Sequence, residues 1–233
     1  MKKSLLVLLI MLLGLTACGS NEEKEELRVY NWDEYIDKSK ITEFEKKFNA
    51  RVIHEEFNSN EQMYNKLQDG SKYDILVPSD YMIQRLREED SLQKLDFSKI
   101  PNYSNVLDSL KGKQFDPTNE FSVPYFWGNV GILFNKSNVD MKDLEKEGWS
   151  ILVNPKYKDR LYFYDSERDA FMIALKALGY SANSSNEAEL QEAYEWLVMM
   201  LQTMNPIYSM DDTMDNMYNG IKDLAVMYSG DAT

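Results

Sequence analysis

Cysteine and histidine are almost absent from this chain of 233 residues, which holds one of each. A single cysteine excludes any disulfide within the chain. The chain therefore has no cluster of the nitrogen and sulfur ligands that zinc sites use. His54 lies inside a predicted strand, whereas a Ser-His-Asp triad needs its histidine beside an exposed serine. The sequence therefore argues against a zinc site and against serine-hydrolase chemistry.

Basic residues are also scarce, because 26 lysines and arginines stand against 39 aspartates and glutamates, for a formal charge of −13. Nucleic acids need a basic surface for their phosphates, so this balance argues against a nucleic-acid partner. It favours cationic ligands only weakly, because net charge also serves solubility. Small cations therefore stay open as ligands.

No apolar run at the N-terminus is long enough to span a membrane. The stretch Leu5–Ala17 has 13 residues, and a transmembrane helix needs roughly 20. Two lysines precede it and small residues end it, which is typical of a secretory signal. Leu-Thr-Ala-Cys resembles a bacterial lipobox, which makes Cys18 the predicted lipid attachment site. We expect a signal peptide at 1–17 and a lipidated tether at 18–26, so that the mature charge is −15.

The rest of the chain alternates predicted strands and helices. Apolar runs at 27–31, 51–57 and 74–77 are typical of strands, and helical periodicity follows each of them. This order predicts a parallel, doubly wound sheet with right-handed crossovers. A stretch rich in turn formers at 96–119 precedes a second series, which begins with a strand at 161–164.

The second series shows the same patterns. Extended segments are expected at 121–125 and 130–135, where the chain passes from one lobe to the next. We place the first α/β lobe at 27–126 and the second at 127–233. The further elements of the second lobe are predicted helices over 169–178, 187–203 and 212–219, and a predicted strand over 224–228.

Four of the predicted strands end in clusters of aromatic rings and carboxylates. In open α/β sheets the ligand crevice lies beyond the carboxyl ends of the strands, so we expect the clusters to converge on one cavity. Carboxylates form charge-assisted hydrogen bonds with ammonium groups, and ring faces attract cations and cover methylene groups. This chemistry suits a polyamine. The clusters occupy 31–35, 78–81, 164–167 and 228–231.

Four longer motifs carry a family resemblance: YNWDEYI from Tyr30, YDILVPS from Tyr73, VPYFWG from Val123 and NPKYK from Asn154. They resemble the bacterial spermidine/putrescine-binding proteins, the extracytoplasmic binding components of ABC importers. The resemblance implies a two-lobed, type II periplasmic-binding-protein-like α/β fold, in which each lobe is a mostly parallel sheet flanked by helices. It also implies a lipid-anchored monomer without a cofactor, which delivers spermidine or putrescine to permease subunits in the cell membrane.

The resemblance also implies a set of ligand-binding residues. Ser166 is a departure, since some relatives carry an aspartate there that binds an ammonium group. Because this chain lacks that aspartate, the choice between spermidine and putrescine stays open. Tyr228 stands where some members have tryptophan. The residues assigned to the ligand are Trp32, Asp33, Tyr35, Ser79, Asp80 and Tyr81 in the first lobe, and Asp165, Ser166, Asp169 and Tyr228 in the second.

Other functions remain open from the residues alone. Asp165 and Asp169 could serve a lipoprotein hydrolase that uses a carboxylate pair. A tethered recognition protein without transport would have the same sequence features. A binding protein for another small cation, such as iron, is a further alternative, although iron sites have no use for several aromatic faces. We expect a binding protein and not an enzyme.

The family extends beyond the last residue of this sequence. Its members return to the first lobe after the position of Thr233 and add further aromatic and acidic ligand contacts. We therefore expect a C-terminally truncated chain with an incomplete second lobe. The predicted consequences are an exposed sheet edge in the first lobe and weak or absent affinity for polyamines.

Overall fold

The computed structural model describes residues 24–33, 35–208, 213–230 and 232. The predicted signal peptide, Cys18 and most of the predicted tether lie outside these residues, as does Asp231 in the fourth cluster. The chain divides into two compact units, of which the first ends at Tyr125 and the second begins at Phe126. Each unit has its own sheet and its own hydrophobic core.

The first unit is a parallel sheet whose strands are joined through helices. Its elements are β1 (Glu26–Trp32), α1 (Lys38–Phe48), β2 (Arg51–Phe57), α2 (Asn60–Gln68), β3 (Ile75–Leu76) and α3 (Asp80–Glu88). The strand order is β2-β1-β3, with Tyr30 of β1 in register with Glu55 and Leu76. This confirms the predicted parallel sheet, although β3 is shorter than the apolar run at 74–77 suggests.

Local signals set the helix boundaries of the first unit. The side chains of Asp37 and Ser59 cap α1 and α2, because each accepts a hydrogen bond from a backbone N–H in the first turn of its helix. At the other end of α1, Asn49 takes the left-handed conformation with φ of 48°. Gly70 follows α2 with φ of 92°, a conformation that glycine adopts without steric cost.

The core of the first unit packs α2 and α3 against the face of the sheet that carries Tyr30 and Phe57. Met63 of α2 and Met82 of α3 are buried in it. By contrast α1, all of whose residues are described, contributes no buried side chain, and its Phe48 is 58% exposed. The stability of this unit therefore depends mainly on α2 and α3.

The turn-rich stretch after α3 forms short 3-10 helices at Phe97–Lys99, Pro101–Asn105 and Asp108–Leu110. The segment 121–125, predicted to be extended, pairs with no strand among the described residues. Instead, the buried Asp116 accepts hydrogen bonds through Oδ2 from Phe121 N at 3.1 Å and from Ser122 Oγ at 2.7 Å. The Asp116 side chain thus provides the Phe121 N–H with the hydrogen bond that a partner strand would otherwise provide.

The second unit also has a mostly parallel sheet flanked by helices. Its elements are β4 (Val130–Phe134), α4 (Met141–Glu147), β5 (Leu161–Phe163), α5 (Glu167–Ala177), α6 (Glu187–Met204), β6 (Ile207–Tyr208), α7 (Thr213–Tyr218) and β7 (Leu224–Tyr228). The strand order is β4-β7-β5-β6, in which β7 runs parallel to β5 and antiparallel to β4. The predicted sheet type is confirmed in both units.

The core of the second unit lies between this sheet and the helices α5 and α6. Phe163, Ile173 and Met200 are almost completely buried there. None of the helices that the structure describes is long and apolar enough to cross a membrane.

Candidate functional site

The end of β1 carries the first predicted cluster. The ring of Trp32 packs against Phe57 with centroids 4.7 Å apart, and it lies 6.0 Å from the ring of Tyr35. The buried Asn31 accepts a hydrogen bond from Trp32 N at 2.8 Å. The Tyr125 hydroxyl donates to the Tyr35 carbonyl at 2.5 Å. These contacts hold two half-buried aromatic rings at the carboxyl end of the strand.

The second cluster lies where the chain passes from β3 into α3. Ser79 is the N-cap residue of α3, but its side chain is turned toward Asn60, the first residue of α2. Asn60 Nδ2 donates to Ser79 Oγ at 3.1 Å, and Asn60 Oδ1 accepts from Ser79 N at 2.9 Å. This pair of hydrogen bonds joins the first turns of α2 and α3.

Tyr81 and Asp80 follow in the first turn of α3. The Tyr81 hydroxyl donates to Glu61 Oε1 at 2.9 Å, and Asp80 Oδ1 accepts from Tyr81 N at 2.7 Å. Because β1 and β3 are parallel neighbours, this cluster and Trp32 lie at the same edge of the sheet. Asp33, in the turn after β1, is half-buried, and Asp80 is exposed.

Asn60 and Glu61 were not among the predicted site residues. Their positions suggested an ordinary helix start, since Ser59 and Gln62 form the recognisable capping pattern around them. Their contacts to Ser79 and Tyr81 span 19 and 20 residues. No local pattern in the sequence reports such long-range pairs.

In the first unit, a lysine ammonium group of the chain itself makes cation-π contacts with two aromatic rings. The Lys66 ammonium lies 5.1 Å from the ring centroid of Tyr30 and 5.9 Å from that of Tyr73. It also donates to Glu55 Oε2 at 2.5 Å. The hydrogen bonds with Glu55 and Tyr73 raise the pKa of Lys66, and the bond from Lys66 lowers the pKa of Glu55. Rings and a carboxylate thus hold an ammonium group within this fold.

The third cluster lies beyond the end of β5. Ser166 caps α5, because its Oγ accepts a hydrogen bond from Asp169 N at 3.3 Å. The residue that departs from the family pattern therefore serves the helix start. Asp165 is exposed. Burial raises the pKa of the Tyr208 phenol, and the negative charge of Asp165 adds to this effect.

The fourth cluster joins the third. The hydroxyl of Tyr228, the last residue of β7, donates to Asp169 Oδ2 at 2.8 Å. Its ring meets that of Tyr164 edge-on, with centroids 4.8 Å apart. Because β7 and β5 are parallel neighbours, both strand ends lie at one edge of the sheet. The structure therefore brings Tyr164, Asp169 and Tyr228 together in the second unit.

Each unit thus places aromatic rings and carboxylates at the carboxyl edge of its own sheet. Ammonium groups donate hydrogen bonds to carboxylate and hydroxyl oxygens, and aromatic faces accept the methylene chain between them. Within the described ranges, no group of three or more His, Cys, Asp or Glu side chains is arranged to hold a metal ion. His54 lies within β2, with Nδ1 3.5 Å from Glu56 Oε1.

Two protein families match this chain, each over a part of its length. Residues 70–232 match a family described as bacterial extracellular solute-binding protein. Residues 1–114 match a second family, described as a hypothetical lipoprotein.

Individual relatives carry names that refer to polyamines. The spermidine/putrescine-binding periplasmic protein of Salmonella typhimurium is 35% identical over 94% of this chain and 63% of its own length. A solved structure from Listeria monocytogenes, whose name assigns it to spermidine/putrescine ABC transporters, is 37% identical with a TM-score of 0.80. It is matched over 90% of this chain and 64% of its own.

A second solved structure is the spermidine/putrescine ABC transporter substrate-binding protein of Streptococcus pneumoniae. It is 36% identical with a TM-score of 0.70, over 90% of this chain and 64% of its own. These similarities confirm the predicted periplasmic-binding-protein-like α/β fold. The chain spans somewhat less than two thirds of the length of these relatives, whose names describe binding or transport proteins.

Proposed function

Because this chain belongs to the family of bacterial extracellular solute-binding proteins, we propose that it captures spermidine or putrescine for an ABC importer. The observation that carries the proposal is the pairing of a tyrosine with a carboxylate at the carboxyl edge of each sheet. Tyr81 pairs with Glu61 in the first unit, and Tyr228 pairs with Asp169 in the second. The chain acts by binding, without catalysis and without a cofactor.

The aromatic residues would bind the apolar part of the ligand. Trp32, Tyr35, Tyr81 and Tyr228 are the proposed ring contacts, and each methylene group that they cover contributes about 0.8 kcal/mol. A cation-π contact adds roughly 0.5–2 kcal/mol. The internal contact of Lys66 with Tyr30 and Tyr73 supports the proposal, because it shows the same chemistry in this fold.

The carboxylates would bind the ammonium groups, which are costly to remove from water without partners. We assign this role to Asp33, Asp80, Asp165 and Asp169, while the hydroxyls of Ser79 and Ser166 line the site. Asp169 is the strongest candidate, because Tyr228 holds one of its oxygens at 2.8 Å in the first turn of a helix.

The location of the protein is a separate proposal. We place it outside the cytoplasm, held at the membrane by a lipid on Cys18 after cleavage of residues 1–17, where it would meet the permease subunits of its importer. The lipobox-like sequence and the match of residues 1–114 to a lipoprotein family support this assignment. Cys18→Ser should move the protein from the membrane fraction to the soluble fraction, and unchanged membrane retention would contradict the anchor.

A pair of matched variants tests the polyamine proposal. Tyr228→Phe removes the hydroxyl that donates to Asp169, whereas Tyr180→Phe removes an equivalent bond to Glu192, also 2.8 Å long, in the same unit. We expect Tyr228→Phe to weaken spermidine binding by about tenfold, as for a hydrogen bond to a charged group, and Tyr180→Phe to leave it unchanged.

A tryptophan variant separates a polyamine from a metal ion. Trp32→Ala should abolish most polyamine binding, because it removes an aromatic face, but it should affect a site for a hard metal ion much less. Titration of this variant with spermidine and with ferric iron makes the comparison. Equal losses of spermidine affinity in Tyr228→Phe and Tyr180→Phe would overturn the proposal. It would also be overturned if the chain binds ferric iron but not spermidine, and if Trp32→Ala leaves the iron binding intact.

A further inference from the structure

The first turn of α2 is held by two reciprocal hydrogen bonds at the helix start. Ser59 Oγ accepts a hydrogen bond from Gln62 N at 3.1 Å, and Gln62 Oε1 accepts one from Asn58 N at 3.0 Å. These reciprocal bonds satisfy backbone donors on both sides of the helix start. The two residues between them, Asn60 and Glu61, therefore have a well-defined backbone.

Asn60 uses this position to hold Ser79. It is 4% exposed, and its amide both donates to the Ser79 hydroxyl and accepts from the Ser79 backbone N–H. An amide side chain is suited to this because it carries a donor and an acceptor on the same carbon. The Ser79 hydroxyl is thereby turned away from its ordinary capping position on α3.

Glu61, the next residue, fixes the direction of the Tyr81 hydroxyl. The Tyr81 hydroxyl directs its hydrogen to Glu61 Oε1 at 2.9 Å. An ammonium ligand has only donors to offer, so a hydroxyl whose hydrogen is already committed to a carboxylate can present an oxygen lone pair to that ligand. The negative charge of Glu61 also strengthens the phenol oxygen as an acceptor.

We propose that the first turn of α2 is a positioning element of the ligand site: Asn60 positions the Ser79 hydroxyl, and Glu61 orients the Tyr81 hydroxyl so that its oxygen accepts a hydrogen bond from an ammonium group. The inference rests on the proposed function and extends it to two residues outside the predicted site. Neither residue needs to touch the ligand for this role.

The first test measures coupling between Glu61 and Tyr81. Spermidine titrations compare Glu61→Gln, Tyr81→Phe and the double variant, all at exposed or half-buried positions. Each single variant should weaken binding by about tenfold, and the double variant should be no weaker than Tyr81→Phe alone, because Glu61 acts through that hydroxyl. Tyr64→Phe is the matched control, since it removes a similar hydroxyl bond to Glu89 in the same unit.

Additive effects in the double variant, or an equal loss of affinity in Tyr64→Phe, would overturn the role of Glu61. A merely structural role would lower the stability of the variants without this non-additivity.

The second test needs no ligand and therefore separates this inference from the proposed function. Amide hydrogen exchange of the unliganded chain compares the wild type with Asn60→Ala and Glu61→Gln. In Asn60→Ala, we expect at least tenfold faster exchange at the Ser79 amide, which has lost its acceptor. Unchanged exchange at Ser79 in Asn60→Ala would overturn the positioning role even if the wild type binds spermidine. Faster exchange in Asn60→Ala, together with a wild type that binds no polyamine, would overturn only the proposed function.

Discussion

Asp223→Asn removes the negative charge from an ion pair that joins two parts of the second unit. The carboxylate of Asp223, which is 6% exposed, accepts hydrogen bonds from Arg160 Nε at 2.6 Å and Nη2 at 2.9 Å. Asn138 Nδ2 adds a third bond at 2.8 Å. These bonds, and above all those from Arg160, lower the pKa of Asp223. The pair links the start of β7, which carries Tyr228 at its far end, to the chain before β5.

The cost of the substitution follows from the burial of the pair. Breaking a buried pair by changing one partner costs roughly 3–5 kcal/mol. The Arg160 side chain keeps 38% exposure, so water can solvate part of the guanidinium, and asparagine retains one acceptor oxygen. We therefore expect the free energy of unfolding of the second unit to fall by about 2 kcal/mol at neutral pH.

Urea denaturation followed by tryptophan fluorescence measures this change. Glu195→Gln is the control, because it removes one negative charge from the same unit at an exposed position and should cost less than about 0.5 kcal/mol. A loss below about 0.5 kcal/mol in Asp223→Asn, equal to that of the control, would refute the reasoning.

The same pair gives a pH dependence of known sign. The pKa of Asp223 in the folded chain lies below its ordinary value of 3.8, so its contribution to stability is present above that value. The contribution is lost as the pH falls through the lower, folded pKa. The difference in stability between the wild type and Asp223→Asn should therefore shrink below about pH 4, and a difference that grows in acid would contradict the assignment.

Three further predictions concern packing, capping and charge. Met200→Ala opens a cavity at a fully buried core position and should cost about 2–5 kcal/mol in urea denaturation. Ser59→Ala removes the cap of α2 and should cost about 1 kcal/mol, whereas a cost near zero would show that the cap bond to Gln62 is not formed in solution. Lys66→Met removes the ammonium that lowers the pKa of Glu55, so an NMR titration should find the Glu55 pKa higher than in the wild type.

Periodicity in the sequence predicted the long elements of the fold well. The strand β2 has the bounds of its apolar run, and α6 covers the predicted helix at 187–203 with one added residue. Short elements were missed for a physical reason. The two-residue strand β6 cannot show an alternating pattern, and α4 has no buried residue, although all of its residues are described. Its sequence therefore lacks an apolar face from which a helix is predicted.

The candidate site was predictable only in part. Aromatic and acidic residues at strand ends were correctly placed at the carboxyl edges of two sheets, because parallel strands align those ends. The bonds that orient them could not be predicted. Tyr228 meets Asp169 across 59 residues, and Ser79 meets Asn60 across 19. Such pairs depend on which strands become neighbours, and the roles of the site residues in ligand binding stay predictions.

The central claim is tested most directly by isothermal titration of the folded chain from Cys18 to Thr233 with spermidine and putrescine, with lysine as the control cation. Lysine also carries ammonium and methylene groups, but its carboxylate would be repelled by the acidic side chains at the strand ends. The account predicts saturable heat with at least one polyamine, even at low affinity, and none with lysine. A chain that is folded by circular dichroism and gives the same saturable heat with lysine as with spermidine or putrescine would contradict it.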